Sequence, residues 1–255
     1  MPLTLTPVAV LHDNYVWVVD DGHHAVVVDP GEARPVTRML SSRRLHLAAL
    51  LITHHHADHI GGVAALKAMS PNCQVIGCAA DVGPLLTHPC SDGDQLSLPS
   101  MELAIEVLAV PGHTLHHLAY RIGKWLFCGD TLFGAGCGRL LEGSPQQMHD
   151  SLLRLVSLPD DTLICCAHEY TLGNLAFAAE LEPGNHHIHE RLTRDRSARQ
   201  RNEPTLPSTL RDEKKTNPFL RCHLPELQLA VGARDGNSVT AFTLMRQLKD
   251  IFRTA

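Results

Sequence analysis

The sequence predicts an α/β protein in two parts: a sheet sandwich over residues 1–171 and a helical segment over residues 172–255. Two observations predict it. Short apolar runs rich in β-branched residues recur through the first part and stop near residue 172, where charged, helix-patterned segments take over. Four of those runs, ending at Ile52, Val110, Cys128 and Ala167, lead directly into residue types that ligate metals. The repetition of strand followed by ligand places the chemistry at one edge of the sandwich.

Taken in order, residues 15–20 and 25–29 read as two strands joined through Asp21-Gly22, a hairpin signal. The second strand ends in Asp29-Pro30-Gly31, a turn that leaves a carboxylate where it can serve either the turn or a nearby histidine. Residues 33–44 read as a helix, 48–52 as a buried strand, 63–69 as a helix and 73–78 as a strand. A polar, turn-rich stretch (89–100) precedes a long strand at 102–110. Residues 117–122 and 125–128 form a second hairpin around Gly123-Lys124. Ser144-Pro145-Gln146-Gln147 carries the signals of a helix start, with Ser as cap, Pro in the first turn and Gln three residues on. That helix runs to about residue 156, and residues 162–167 are the last core strand. Helical segments follow at 172–181, 188–202, 224–230 and 237–252, with 202–217 read as a polar linker carrying Pro204 and Pro207.

Composition bounds the function. The chain has 255 residues, enough for a full core, and a net charge of −5, which argues against nucleic acid as a partner. Its eight cysteines form no C-x-x-C pair and no secretory framework, so they read as buried thiols in a reducing, cytoplasmic compartment. No apolar run approaches the ~20 residues of a membrane span.

The densest signal is T-H-H-H-A-D-H (53–59), where His and Asp ligands crowd one strand end. Imidazole and carboxylate suit zinc, iron and manganese. His54 and His56 alternate, so an extended loop points both into one site, while Asp58 and His59 follow where the chain turns into the next helix. A catalytic zinc takes about three protein ligands, so this loop alone suggests two metals. His113, in P-G-H-T, arrives at another strand end as a third ligand for one of them. His116 and His117 are expected to be non-ligands. Asp130, in G-D-T-L-F, is the candidate bridge, because two cations about 3.5–4 Å apart need a shared anion. His168 closes the last strand.

These motifs, in this order, resemble the metallo-β-lactamase superfamily and, within it, the hydroxyacylglutathione hydrolases (glyoxalase II). G-C-G-R (136–139), N-P-F-L-R (217–221) and a terminal R-x-x-K-D (246–250) carry the narrower match. The resemblance implies an αββα sandwich of two mixed sheets flanked by helices, with a C-terminal helical domain for substrate. It implies one metal on His54, His56 and His113 and a second on Asp58, His59 and His168, with Asp130 and a hydroxide bridging them. Zinc is the expected metal, with iron or manganese as alternatives. Arg139, Tyr170, Arg246 and Lys249 fall on the family's glutathione-contact positions. The implied reaction is hydrolysis of the S-(2-hydroxyacyl)glutathione thioester by a monomer, with S-D-lactoylglutathione as substrate and D-lactate as product, the second step of methylglyoxal detoxification. Asp58 and Asp130 would orient the hydroxide. The chain departs from the family at Leu141, usually aromatic, and at His116, usually Gly. A β-lactamase or lactonase and an iron-dependent persulfide dioxygenase remain as rival readings on the same fold.

Overall fold

Residues 14–20, N-Y-V-W-V-V-D, are buried throughout, which requires that both faces of their strand be covered. A computed structural model of the chain describes residues 2–253, and their packing falls into two units. The first holds the chain up to Ala109 together with His116–Gly129; the second holds Val110–Leu115 and the chain from Asp130 onward.

In the first unit, β1 (Thr4–Val10), β2 (Asn14–Asp20), β3 (His24–Val28), α1 (Ala33–Arg43), β4 (His46–Leu51), α2 (Ala57–Ile60), α3 (Val63–Met69), β5 (Gln74–Gly77), α4 (Ala79–Val82) and β6 (His88–Pro89) follow one another. The strands form one sheet in the order β1-β2-β3-β4-β5-β6, antiparallel as far as β3 and parallel beyond it. Val16, Val18, Val27, Leu50 and Ile52 pack with Val36 and Leu40 of α1 and Val63 and Leu66 of α3. The strands β7 (Gln95–Leu98), β8 (Leu103–Ala109), β9 (Leu118–Ile122) and β10 (Trp125–Gly129) run antiparallel in that order. Tyr120 of β9, fully buried, donates its hydroxyl to the Ile52 carbonyl at 2.7 Å. That bond satisfies the one polar atom of a large core side chain.

The second unit contains β11 (Leu132–Phe133), β12 (Gly136–Cys137), α5 (Pro145–Val156), β13 (Leu163–Cys166), α6 (Thr171–Leu181), α7 (His186–Gln200), β14 (Ser208–Thr209), α8 (Leu210–Thr216), α9 (Pro225–Ala230) and α10 (Ser238–Ile251). The capping box at the start of α5 forms as expected, with Ser144 and Gln147 satisfying each other's backbone amides. Leu175 and Ala178 of α6 pack on Ile188 of α7 and on Ala135.

Two expectations need correction. The stretch 202–217 is not only a linker: β14 pairs with β13, and α8 follows, capped by Thr209. Its low apolar content conceals a helix whose inward residues, apart from Leu210, are polar. Strand β1 was not foreseen, because Pro7 interrupts its pattern; at a sheet edge, Pro costs no ladder bond on the open side. Seven of the eight cysteines are buried, as the sequence predicts, and Cys78 is only partly buried. All eight are free thiols, and burial pushes Cys90 and Cys137 up to about 11 and Cys222 to about 12.

Candidate metal centre and substrate pocket

Each unit presents its own set of metal-ligand side chains at strand ends. In the first unit, β4 delivers Thr53 and His54, and the chain stays extended until α2 begins at Ala57. Strand alternation therefore puts His54 Nε2 3.0 Å from His56 Nδ1. One turn on, His59 Nε2 lies 3.5 Å from Asp58 Oδ2. Donor atoms bound at about 2.0–2.2 Å to one tetrahedral cation sit roughly 3.3–3.6 Å apart, so both pairs have near-ligand spacing before any ion is added.

A buried carboxylate orients this loop. Asp29, at the end of β3, accepts from the Thr53 amide at 2.8 Å and from Thr53 Oγ1 at 2.7 Å. It also meets His59 Nδ1 at 3.0 Å. With the Thr53 hydroxyl proton given to Asp29, Thr53 Oγ1 accepts from His54 Nδ1 at 3.0 Å. Both imidazoles thus carry their proton on Nδ1 and offer the Nε2 lone pair, the tautomer a ligand histidine needs. Asn14 Nδ2 donates to Asp58 Oδ2 at 3.0 Å. His117, wholly buried, stacks on His54 with ring centroids 4.6 Å apart and 20° between planes. Gly31 lets the loop close in: a Cβ there would lie 1.9 Å from the Asp58 carbonyl oxygen.

In the second unit, His113, Asp130 and His168 come together. Asp130 Oδ2 is 3.5 Å from His113 Nε2, and its Oδ1 is 3.4 Å from His168 Nε2. One carboxylate therefore faces a different imidazole with each oxygen. His113 Nδ1 donates to the Arg139 carbonyl at 2.8 Å, again leaving Nε2 to ligate. Gly138 permits that approach, since a Cβ there would fall 1.9 Å from the Asp130 carbonyl oxygen. The imidazole and carboxylate donors of both units suit a divalent cation.

The same unit contains a cavity of about 630 Å³ whose walls include His113, Asp130, Phe133, Cys137, Arg139, Tyr170, Arg246 and Lys249. All four expected substrate-contact residues therefore line one cavity with two of the candidate ligand residues, His113 and Asp130. Their states differ. Tyr170 stacks flat on His168, 4.7 Å between centroids and 7° between planes. Arg246 is almost fully buried; its Nη1 donates to the Cys137 carbonyl at 2.8 Å and its Nη2 to Asp250 at 3.0 Å. Arg139 is mostly exposed and lies 3.7 Å from the same Asp250. Lys249 stands over the rings of Phe177 and Phe252. Burial, and then the neighbouring Arg246 and Arg139 charges, bring its ammonium down to about 8. Leu141, at the rim, is exposed.

Reading the sequence assigned no role to Asn14, Thr53 or Asp250 and took His117 only as a non-ligand. Thr53 and Asp250 lie inside motifs, but the groups all four act on lie 20 or more positions away or across a helix turn, and only folding brings the partners together.

Known proteins agree with this picture. The family model described as metallo-beta-lactamase superfamily matches residues 10–168, and the one described as hydroxyacylglutathione hydrolase C-terminus matches residues 169–252. A hydroxyacylglutathione hydrolase from Photobacterium profundum is 48% identical over 254 residues, covering 98% of this chain and 100% of the relative. Proteins of the same name from Aeromonas hydrophila and Nitrosomonas europaea are 47% and 43% identical, over 96% and 98% of this chain and 98% and 97% of their own lengths. Among solved structures, ETHE1 from Myxococcus xanthus aligns with a TM-score of 0.68 at 25% identity, covering 100% of this chain and 92% of its own. TTHA1623, solved in a di-iron-bound form, aligns at 0.62 and 26% identity, covering 84% and 99%. The fold is thus that of the metallo-β-lactamases, two mixed sheets flanked by helices with a C-terminal helical region. Matched along almost its whole length by both family models, the chain belongs to the hydroxyacylglutathione hydrolases of the metallo-β-lactamase superfamily, metal-dependent hydrolases.

Proposed function

We propose that this enzyme hydrolyses the thioester of S-(2-hydroxyacyl)glutathione, with S-D-lactoylglutathione as substrate and glutathione and D-lactate as products. The observation that carries the reading is the cavity that joins ligand residues to cations: His113 and Asp130 share its lining with Arg139, Arg246 and Lys249. Glutathione carries two carboxylates, and a chain of net charge −5 needs local cations to hold them. In this reading residues 172–255 form the substrate-binding domain on a catalytic domain of residues 1–171.

Two divalent cations, with zinc the first candidate and iron or manganese the alternatives, would be held by His54, His56 and His113 and by Asp58, His59 and His168, with Asp130 shared. The di-iron form of one structural relative supports a two-metal reading. When bound, such cations lower the pKa of water toward 7 and polarise the thioester carbonyl. The chain's own residues do the rest. Asn14 fixes Asp58 Oδ2, so that the Asp58 carboxylate orients the attacking water and directs its proton. Lys249 and Arg139 draw in the glutathione carboxylates, while Arg246, tied to Cys137 and Asp250, fixes the wall between them. Tyr170 offers its hydroxyl at the pocket rim. The leaving group departs as a thiolate of pKa about 8.5, so no side chain must protonate it first.

No helix among the described residues is long and apolar enough to cross a membrane. The eight free thiols support a cytoplasmic location. The test is steady-state hydrolysis of S-D-lactoylglutathione beside a β-lactam, a homoserine lactone and glutathione persulfide, with metal content measured on the same sample. Rapid thioester turnover at close to two metals per chain supports the reading; a fully metallated sample without it refutes it.

A further inference from the structure

We propose that Glu213, which does not line the substrate cavity, is the positioning residue of that cavity. Its buried carboxylate holds the turn between β11 and β12 in the shape that presents Phe133 and Cys137 to the pocket. The inference rests on the cavity being the thioester site.

The turn cannot hold itself. β11 and β12 pair over two residues each, too short a ladder to be stable alone. Ala135 at its tip is wholly buried with φ +54°, a left-handed conformation that an L-residue adopts only under restraint. The restraint comes from three side chains far along the chain. The Ala135 amide donates to Glu213 Oε2 at 2.7 Å. Asn217 Nδ2 donates to the Gly136 carbonyl at 2.9 Å and to the Phe133 carbonyl at 3.3 Å. Asn174 Nδ2 donates to the Gly134 carbonyl at 3.0 Å. A single turn therefore has its backbone satisfied by α6 and α8 rather than by its own ladder.

The carboxylate is specifically required. Glu213 is fully buried, and four donors converge on it. Oε2 takes the Ala135 amide and Asn217 Nδ2 at 3.3 Å; Oε1 takes Arg191 Nη2 and Ser208 Oγ, both at 2.6 Å. A glutamine would turn an NH2 group against two of these donors. Arg191, itself buried and bound also to Asp195 and Thr216, supplies the opposite charge beside the buried Glu213 carboxylate.

What the turn carries explains why its shape matters. The Phe133 ring stands edge-on to Tyr170 at 5.2 Å and 81°, and to His168 at 5.8 Å and 88°. The Cys137 carbonyl takes the Arg246 guanidinium. A shift of the turn therefore moves the wall under Tyr170 and the anchor of Arg246 together, although Glu213 touches neither.

The test compares Glu213→Gln, Ser208→Ala and Ala135→Gly, alone and combined, by thermal unfolding and by thioester kinetics at full metal content. Ser208 binds the same carboxylate on the side away from the turn, so its loss is expected to lower Tm and leave kcat/KM unchanged. Glu213→Gln is expected to lower kcat/KM at least tenfold, mainly through KM. Adding Ala135→Gly, which adopts the left-handed turn without restraint, is expected to recover most of that loss without restoring Tm. Wild-type kinetics in Glu213→Gln, or a loss that Ala135→Gly leaves unchanged, overturns the proposal. Should Glu213→Gln not fold, amide hydrogen exchange on the wild-type protein decides: the Ala135 N–H must exchange as slowly as the amides of β9 and β10, and exchange at the rate of an exposed turn overturns it. That measurement needs no substrate, so it stands even if the wild type fails to hydrolyse the thioester, which would defeat the functional reading alone.

Discussion

Replacing Asp29 by Asn changes one oxygen to an NH2 group in a carboxylate with three donors around it. The backbone tolerates the change, since Asp29 sits at φ +50° and Asn is among the few residues at ease there. The amide has two orientations. If its oxygen stays on the Thr53 amide, its NH2 faces Thr53 Oγ1 and His59 Nδ1. His59 must then accept at Nδ1 and carry its proton on Nε2, the atom needed for the metal. If the amide turns over, NH2 faces the buried Thr53 N–H, and a buried donor without an acceptor costs about 1–3 kcal/mol. Loss of a partner that orients a metal-bound histidine weakens binding about 10–100-fold, or about 1.4–2.7 kcal/mol. The two routes cost the same, so neither rescues the site. Competition against a chromophoric chelator is expected to show two binding steps in the wild type. In Asp29→Asn one step, that of the cation held by His59, weakens by about 10–100-fold. If both steps stay within threefold of wild type, the argument that Asp29 sets the His59 tautomer is wrong.

Other outcomes follow from the same geometry. His54→Ala removes a ligand at the end of β4 and is expected to abolish thioester turnover and reduce metal content, measured by elemental analysis of the dialysed protein. Lys249 is charged below about 8 and loses its proton as pH rises through that value, so KM for the carboxylate-bearing substrate should climb on the alkaline side. A Lys249→Met variant should have a higher KM at pH 7 and lack that alkaline rise; an unchanged pH profile would count against Lys249 as a carboxylate contact. Leu141→Tyr adds ring area and a hydroxyl at the cavity rim, where the family usually has an aromatic residue. A hydrogen bond worth about 0.5–1.5 kcal/mol predicts a KM lower by about two- to tenfold in steady-state assays. Stripping the metals with a chelator should lower Tm as well as activity, because ligands that bind only the folded state stabilise it, and added divalent cation should restore both.

The candidate ligands were legible in the sequence because their signal is local. T-H-H-H-A-D-H places four candidate donors within six residues, and strand alternation followed by a helix turn sets their spacing, while Asp29 and Asn14 from other strands fix their orientation. The strand-then-ligand repetition located His113, Asp130 and His168 for the same reason. The helix capped by Ser144 and the hairpin at Gly123-Lys124 were readable from turn and cap chemistry alone. Elements whose signal is not local were missed. β1 has a Pro in its pattern and is a strand only because β2 pairs with it, and α8 turns polar residues inward because Arg191 is there to meet Glu213.

By itself the sequence determined the fold class, the family and the candidate metal-ligand side chains, since each depends on residue type and spacing along a few turns of chain. Tertiary structure alone decided which nitrogen of His59, His54 and His113 is engaged by the protein and which is left open, through Asp29, Thr53 and the Arg139 carbonyl. It alone also decided that Arg246 is a buried anchor while Arg139 reaches solvent, and that a carboxylate on α8 grips a turn 78 residues earlier. Proton positions and charge states are set by whatever donors and acceptors lie within about 3 Å, and those neighbours exist only after distant segments of the chain have packed together.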